Sequence, residues 1–162
     1  MKKMQIEWIP ITKENASKAV QLSIKPEQTG MVESVEECLR EASKLPLWRP
    51  VAISADGMWV GFAMYGLWKN EGASGRVWLD RFLIDARHQG KGYAKASLSA
   101  LLPHIKKTYG CDRIYLSVYQ SNFAAIRLYE SFGFSFNGET DINGEQVMVL
   151  CMDEISDRKA DE

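Results

Sequence analysis

The stretch that decides the fold runs from Leu79 to Ala94 and reads LDRFLIDARHQGKGYA. Its first half has the apolar and aromatic residues of a strand, and its second half is a loop that opens a helix. Gly90 and Gly92 let the backbone approach a ligand without a Cβ in the way. The first N–H groups of the helix are unpaired and carry the positive end of its dipole, and Lys91 adds a charge. The loop is therefore a candidate phosphate site.

Three other interpretations of this loop can be weighed on its residues. A lone G-x-G is more often a plain strand-to-helix turn in which glycine only relieves crowding. A P-loop needs Ser or Thr after its lysine, but Lys91 is followed by Gly92. A dinucleotide fingerprint needs a third glycine, and Lys95 stands at that position. Both nucleotide fingerprints therefore fail.

A different pattern fits. Residues Gln89–Ala94, QGKGYA, resemble Q/R-x-x-G-x-G/A, the acetyl-CoA pyrophosphate loop of the GNAT N-acetyltransferases. A second block, Asn122–Phe134, reads NFAAIRLYESFGF and resembles that family's N-x-x-A-x-x-x-Y-x-x-x-G-F. Residues Ile84–His88, IDARH, depart from the usual V-x-P-x-Y. Two ordered motifs at family spacing carry the resemblance, and the order of the predicted elements extends it to essentially the whole chain.

Composition bounds the remaining possibilities. At 162 residues, we expect one domain over residues 1–152 with a frayed, charged tail at 153–162. A net charge of −1 gives no case for a nucleic-acid or membrane partner, and no apolar run is long enough to span a bilayer. The start of the chain lacks the apolar core of a signal peptide. Cys38, Cys111 and Cys151 are odd in number and scattered, which favours a reducing cytoplasm and no metal site.

Periodicity predicts the element order β-α-α-β-β-β-α-β-α-β-β. We expect strands at 4–9, 51–54, 58–67, 76–84, 113–119, 134–141 and 145–152, with helices from 16 to about 24, from 34, after the loop and from 122. Ser34 and Glu37 predict a capping box, and Pro103 predicts a kink or an early end of the long helix. This is the order of the GNAT acyltransferase fold. The resemblance thus implies an α/β (α+β) protein, with a mixed, mostly antiparallel twisted sheet flanked by about four helices.

The resemblance also implies an activity. GNAT enzymes transfer an acetyl group from acetyl-CoA, a co-substrate, to an amine by direct attack in a ternary complex, without a metal. Four runs, at 61–66, 75–82, 136–139 and 143–148, are similar to bacterial spermine/spermidine acetyltransferases, which implies a small polycationic amine as acceptor. The open alternatives are another small amine (an aminoglycoside or amino acid), a protein N-terminus, or a CoA-binding sensor without turnover. A homodimer is a family expectation.

The resemblance assigns cofactor roles residue by residue. The strand end would bind the acetyl oxygen through its backbone, the loop would hold the pyrophosphate, and Asn122 would meet the pantetheine arm. The competing interpretations are a core strand and, for Asn122, a helix cap. The implied cofactor-binding residues are Phe82, Leu83, Ile84, Gln89, Gly90, Lys91, Gly92, Tyr93, Ala94, Lys95 and Asn122.

Tyr129 matches the family's general acid. A phenol with an ordinary pKa near 10 is protonated at neutral pH, so it can give its proton to a leaving thiolate. The alternative is an aromatic side chain on the buried helix face, beside Leu128 and Phe132. The spacing to Gly133 and Phe134 favours the catalytic role.

Asp80 is the second candidate catalytic residue. It alternates with Phe82 and Ile84, so it shares a strand face with two apolar side chains. A carboxylate there must be paired or functional because an idle one is costly to desolvate. It can attract the cationic amine, relay its proton through water, or form a salt bridge with Arg76 or Arg81.

A polyamine site should combine carboxylates with aromatic faces. The candidate substrate-binding carboxylates are Glu27, Glu33, Glu37 and Asp80, and the candidate aromatic walls are Trp48, Tyr65, Trp68 and Trp78. Taken singly, each is more simply a solvated acid or a core aromatic. His88 and His104 have no partner spacing for a metal or a triad and are expected at the surface.

Overall fold

The computed structural model describes residues 4–26, 33–72 and 74–152. Every predicted element is present and in the predicted order. The elements are β1 (Ile6–Pro10), α1 (Ala16–Ala19), α2 (Val35–Lys44), β2 (Arg49–Ala55), β3 (Met58–Trp68), β4 (Arg76–Ile84), a 3-10 turn (Ala86–His88), α3 (Tyr93–Tyr109), β5 (Arg113–Val118), α4 (Phe123–Ser131), β6 (Ser135–Thr140) and β7 (Gln146–Cys151).

Seven strands form one sheet in the order β1-β2-β3-β4-β5-β7-β6. The pairs β1–β2, β2–β3, β5–β7 and β6–β7 are antiparallel, while β4 and β5 are parallel. The predicted mixed sheet with four helices is confirmed. The chain divides into two compact units: the first takes residues up to 66 and 80–103, and the second takes 67–79 and the residues from 104 onward.

Several local signals act as predicted. Asp56 and Gly57 close the β2–β3 hairpin with positive φ angles of 50° and 86°. The Ser34 side chain accepts a hydrogen bond from Glu37 N at 3.2 Å and so caps α2. Gly133, with φ of 102°, follows the last turn of α4 as a left-handed C′ residue. These contacts fix the starts and ends of the elements that carry the candidate residues.

The first helix is a correction. This helix was expected to reach about Ile24 and to bury Val20, but α1 ends at Ala19 and Val20 is 43% exposed. The reason is a long-range contact: Ser23 donates its N–H to the Asp85 carboxylate and accepts from Ala86 N. Because the N–H and C=O of Ser23 are already bonded there, they cannot also form the hydrogen bonds of a continuing helix.

Of the kink or early end predicted at Pro103, the early end does not occur, because α3 continues through this residue to Tyr109. Proline removes one hydrogen bond, to the Ser99 carbonyl. Apolar side chains on both sides of it are fully or nearly fully buried: Leu98, Leu101, Leu102 and Ile105. Their burial offsets the lost bond. None of the helices among the described residues is long and apolar enough to cross a membrane.

Candidate active site

The predicted phosphate loop lies in the first unit, between β4 and α3. β4 ends at Ile84, whose carbonyl accepts a hydrogen bond from Gln89 Nε2 at 2.9 Å. Gly90 and Gly92 both have left-handed φ angles, 77° and 86°, and a Cβ on either would meet nothing within 4 Å. α3 then begins at Tyr93. Its first N–H groups thus follow two glycines with open space beside them, and their role in binding a phosphate stays a prediction.

We refer to residues 89–95 as the diphosphate loop, after the role that the resemblance implies for them. Lys91 and Lys95 are exposed, so both cations are available to a phosphate, whereas the Tyr93 ring is half-buried against the ring of His88 at 6.0 Å. The other implied cofactor residues divide by burial: Leu83 and Ile84 are buried, and Phe82, Gln89, Ala94 and Asn122 are half-buried. His88 and His104 are half-buried too, not fully at the surface.

A close approach between β3 and β4 was missed from the sequence. A Cβ at Gly61 would collide with the backbone carbonyl of Leu83 and touch the Ile84 side chain. Only glycine permits this approach. Gly61 therefore sets the backbone position at Leu83, one of the residues implied to bind the acetyl oxygen.

Asp85 was also missed, and its carboxylate is 1% exposed. It accepts hydrogen bonds from Ser23 N at 2.9 Å, Arg87 N at 3.3 Å and Arg87 Nε at 2.8 Å. Burial alone raises the pKa of Asp85, but the bonds from Arg87 and Ser23 outweigh it and hold the pKa below its ordinary value. The carboxylate therefore stays ionised at neutral pH.

The first unit also places charged side chains around Arg81. Its guanidinium lies 3.0 Å from Asp80 Oδ2, 2.6 Å from Glu33 Oε1 and 3.7 Å from Glu41 Oε2. We call Asp80, Glu33 and Glu41 the acidic cluster. Burial lowers the pKa of Arg81, but Asp80 and Glu33 more than compensate and raise it, so the guanidinium remains charged. Glu41, absent from the predicted set, lies on α2 one turn after Glu37.

Of the two arginines that sequence reasoning left as partners for Asp80, the structure gives Arg81. Arg76 instead forms a bidentate pair with Glu139 at 2.7 and 2.9 Å and lies 3.8 Å from Glu71. The ion pair of Asp80 is thus established, while its part in acetyl transfer stays a prediction.

The remaining predicted acceptor residues belong to both units. Glu37 is exposed in the first turn of α2. The described carboxylates that pair with Arg81 do not include it. Glu27 lies outside the described residues. Trp48 and Tyr65 are buried in the first unit, while Trp68 and Trp78 are half-buried in the second.

Cys38 is fully buried on α2 beside the acidic cluster. Burial raises the pKa of its thiol to about 12, and the nearby carboxylates outnumber Arg81 in its electrostatic surroundings. The thiol is therefore an inert, protonated core group. No group of His, Cys, Asp and Glu suited to a metal ion occurs among the residues that the structure describes.

The second unit contains Tyr129 and Asn122. Tyr129 is buried, its ring lies 5.8 Å from that of Phe134, and its carbonyl accepts a bond from Phe134 N at 3.2 Å. Burial raises the pKa of the phenol, so it remains protonated. Asn122 caps α4 by accepting from Ala125 N at 3.3 Å. Both residues thus have structural roles, and their catalytic and cofactor roles remain predictions.

Comparison with known proteins decides the family. Residues 11–134 match the Acetyltransferase (GNAT) family. The chain belongs to this family. It is 46% identical over 149 residues to the spermine/spermidine N(1)-acetyltransferase of Bacillus subtilis strain 168, which covers 90% of this chain and 98% of that relative.

Solved structures agree on the fold. An aminoglycoside acetyltransferase, AAC(6')-Ib in complex with coenzyme A, has a TM-score of 0.79 at 18% identity and covers 96% of this chain and 99% of its own. Mutant forms of the spermidine/spermine N-acetyltransferase SpeG from Vibrio cholerae have a TM-score of 0.68 at 20% identity, with 95% and 99% covered. At these identities the likeness establishes the GNAT fold, which confirms the predicted fold class.

Proposed function

We propose that this GNAT enzyme transfers the acetyl group of acetyl-CoA to a primary amine of a polyamine such as spermine or spermidine. The proposal is based on one observation: the chain is 46% identical to a relative named as a spermine/spermidine N(1)-acetyltransferase, over 98% of that relative's length. We further propose that the enzyme works in the cytoplasm, in line with its free Cys38, Cys111 and Cys151.

The diphosphate loop is the proposed site for the co-substrate. The glycines Gly90 and Gly92 leave open space for the diphosphate. The first turn of α3 would supply backbone N–H groups to it. Lys91 and Lys95 are exposed and add charge. The backbone at Phe82 to Ile84 would polarise the thioester carbonyl, an interaction of the kind that stabilises a developing oxyanion.

The acidic cluster is the proposed attraction for the acceptor. Three carboxylates and one guanidinium have formal charges of −3 and +1, which leaves a net charge of −2. A polycation carries the complementary charge, and partial burial reduces screening by salt. Glu27, Glu33 and Glu37 remain proposed contacts of the acceptor's outer ammonium groups.

Two proton transfers complete the proposed chemistry. The attacking amine must be neutral, so Asp80 would draw off its proton, directly or through water. The departing thiolate needs a proton, and the protonated Tyr129 phenol would supply it. In this scheme Asn122 contacts the pantetheine arm.

Release of free thiol from acetyl-CoA, measured with a panel of acceptors, tests the proposal. The panel contains spermine, spermidine, a neutral-tailed monoamine of similar length, an aminoglycoside and no acceptor. We expect the highest kcat/KM with the polyamines. Faster thiol release with the aminoglycoside than with the polyamines would contradict the polyamine proposal and indicate another class of acceptor amine. Binding of CoA without release for any amine would instead indicate a sensor.

A further inference from the structure

Asp85 is a buried ionised group that the proposed chemistry does not use. It lies between Ile84, the last residue of β4, and the 3-10 turn that leads to the diphosphate loop. Among the described residues, the donors to its carboxylate are the Ser23 N–H and two N–H groups of Arg87. A buried carboxylate held by several N–H donors keeps its charge and its position.

The bonds around Asp85 join three segments of the first unit. Asp85 donates its own N–H to the Val60 carbonyl on β3 at 2.8 Å, and Ala86 donates to the Ser23 carbonyl at 2.7 Å. Ser23 is therefore bonded through both its N–H and its C=O. The diphosphate loop begins four residues after Asp85, and Gln89 is bonded back to Ile84. Displacement of Asp85 would move both ends of this connection.

Arg87 balances the buried charge from the surface. Its side chain is 69% exposed, yet its Nε lies 2.8 Å from Asp85 Oδ2. The guanidinium keeps most of its water while it compensates a carboxylate that has almost none. The pair thus avoids most of the desolvation cost of a fully buried ion pair.

We propose that Asp85 is a positioning residue for acetyl transfer: it joins Ser23 to Arg87 and so holds the strand end and the diphosphate loop in the geometry that acetyl-CoA needs. This inference rests on the proposed function, because it assumes that the loop binds the diphosphate. Loss of positioning weakens binding of the co-substrate without removing any group that touches it. Small displacements at such sites have large effects on rate and binding.

Asp85→Asn is the direct test, because it keeps the shape but replaces one oxygen by an NH₂ group. In either amide orientation, this NH₂ faces an existing donor, Ser23 N or the Arg87 donors. We expect the Kd of CoA, measured by calorimetry, and the KM of acetyl-CoA to rise ~10-fold or more. Arg87→Ala changes an exposed side chain and keeps the Asp85 carboxylate, so it should fold and raise the same constants by a smaller factor.

Asp56→Asn is the matched control. The Asp56 carboxylate also accepts a backbone N–H from a distant segment, Gln5 N at 3.1 Å, but it lies in the β2–β3 hairpin. This variant should keep the wild-type Kd. If Asp85→Asn caused only a structural defect, the amount of folded enzyme would fall. The apparent kcat would then be lower, and the Kd of CoA would be unchanged.

The outcomes separate the two proposals. Wild-type Kd in folded Asp85→Asn and Arg87→Ala would overturn the positioning role. Raised Kd in both, with kcat at saturation little changed, supports it. If the wild-type protein itself fails to bind CoA, the proposed function fails, whatever the variants do.

Discussion

Nη2 of Arg81 lies 2.6 Å from Oε1 of Glu33, so a charge-assisted bond connects β4 to the residues just before α2. The Arg81 side chain is only 17% exposed, and the same guanidinium also contacts Asp80 and Glu41. Partly buried pairs of this kind are screened less by salt than surface pairs. The attraction of an acceptor cation to these carboxylates would therefore be screened by salt less than it would be at the exposed surface.

Asp80→Asn should lower kcat/KM for spermine by ~10²-fold or more, because it removes both the proposed proton acceptor and one charge of the acidic cluster while it keeps the shape of the side chain. A neutral-tailed monoamine should lose less, and the Kd of CoA should stay unchanged. Added salt should weaken polyamine use in the wild type more than in the variant. Steady-state kinetics with both amines at two salt concentrations measure these effects.

Glu36→Gln is the control for Asp80→Asn. Glu36 pairs with Arg40 at 3.6 Å on the exposed face of α2. Loss of this carboxylate should therefore change kcat/KM by only a small factor for either amine. Equal losses for all amines in Asp80→Asn, together with a lowered melting temperature, would leave Asp80 as a purely structural partner of Arg81.

Gly92→Val should abolish binding of acetyl-CoA. The valine would adopt a φ near 86° only with strain, and its side chain would occupy the open space proposed for the diphosphate. Gly57→Val is the matched control, since Gly57 has the same φ of 86° and a Cβ there would also meet nothing within 4 Å. Calorimetry should show lost CoA binding in the first variant only; retained affinity in folded Gly92→Val would remove the loop assignment.

Tyr129→Phe should keep the fold and the affinity for CoA but lower kcat by ~10²–10⁴-fold, because only the proton donor is lost. The ring contact with Phe134 does not need the hydroxyl, so the melting temperature should change little. Turnover at the wild-type rate would make Tyr129 a packing residue of the second unit.

The stability contributed by Asp85 should depend on pH. Its pKa in the folded protein is lowered, so its stabilising effect is fully present above the ordinary pKa of about 4 and is lost as pH falls through the lowered value. The difference in melting temperature between wild type and Asp85→Asn should therefore be largest near neutral pH and shrink in acid. A difference that stays constant from pH 7 to pH 3 would contradict the ionised, bonded state of this carboxylate.

The sequence was informative where local rules determine structure. The alternation at 76–84 predicted β4 to the residue, and Ser34 predicted the start of α2. Each of these signals acts over a few neighbouring residues, so no knowledge of the tertiary fold was needed.

Prediction failed where distant segments meet. α1 ends early because Ser23 bonds to Asp85 and Ala86, 62 and 63 positions further along the chain. Glu41 escaped notice because only the packing of α2 brings it to Arg81. Periodicity assigns a face to a residue but does not name the residue across from it.

The burial of Cys38 beside the acidic cluster makes this thiol a built-in reporter. Thiol-reactive dyes attack thiolates, so the exposed Cys151 should be labelled rapidly and Cys38 only when α2 separates from Arg81. The rate of this slow labelling phase therefore measures how often α2 separates from Arg81. A polyamine that binds there should slow the phase in proportion to its occupancy, which gives a readout of acceptor binding that requires no acetyl transfer.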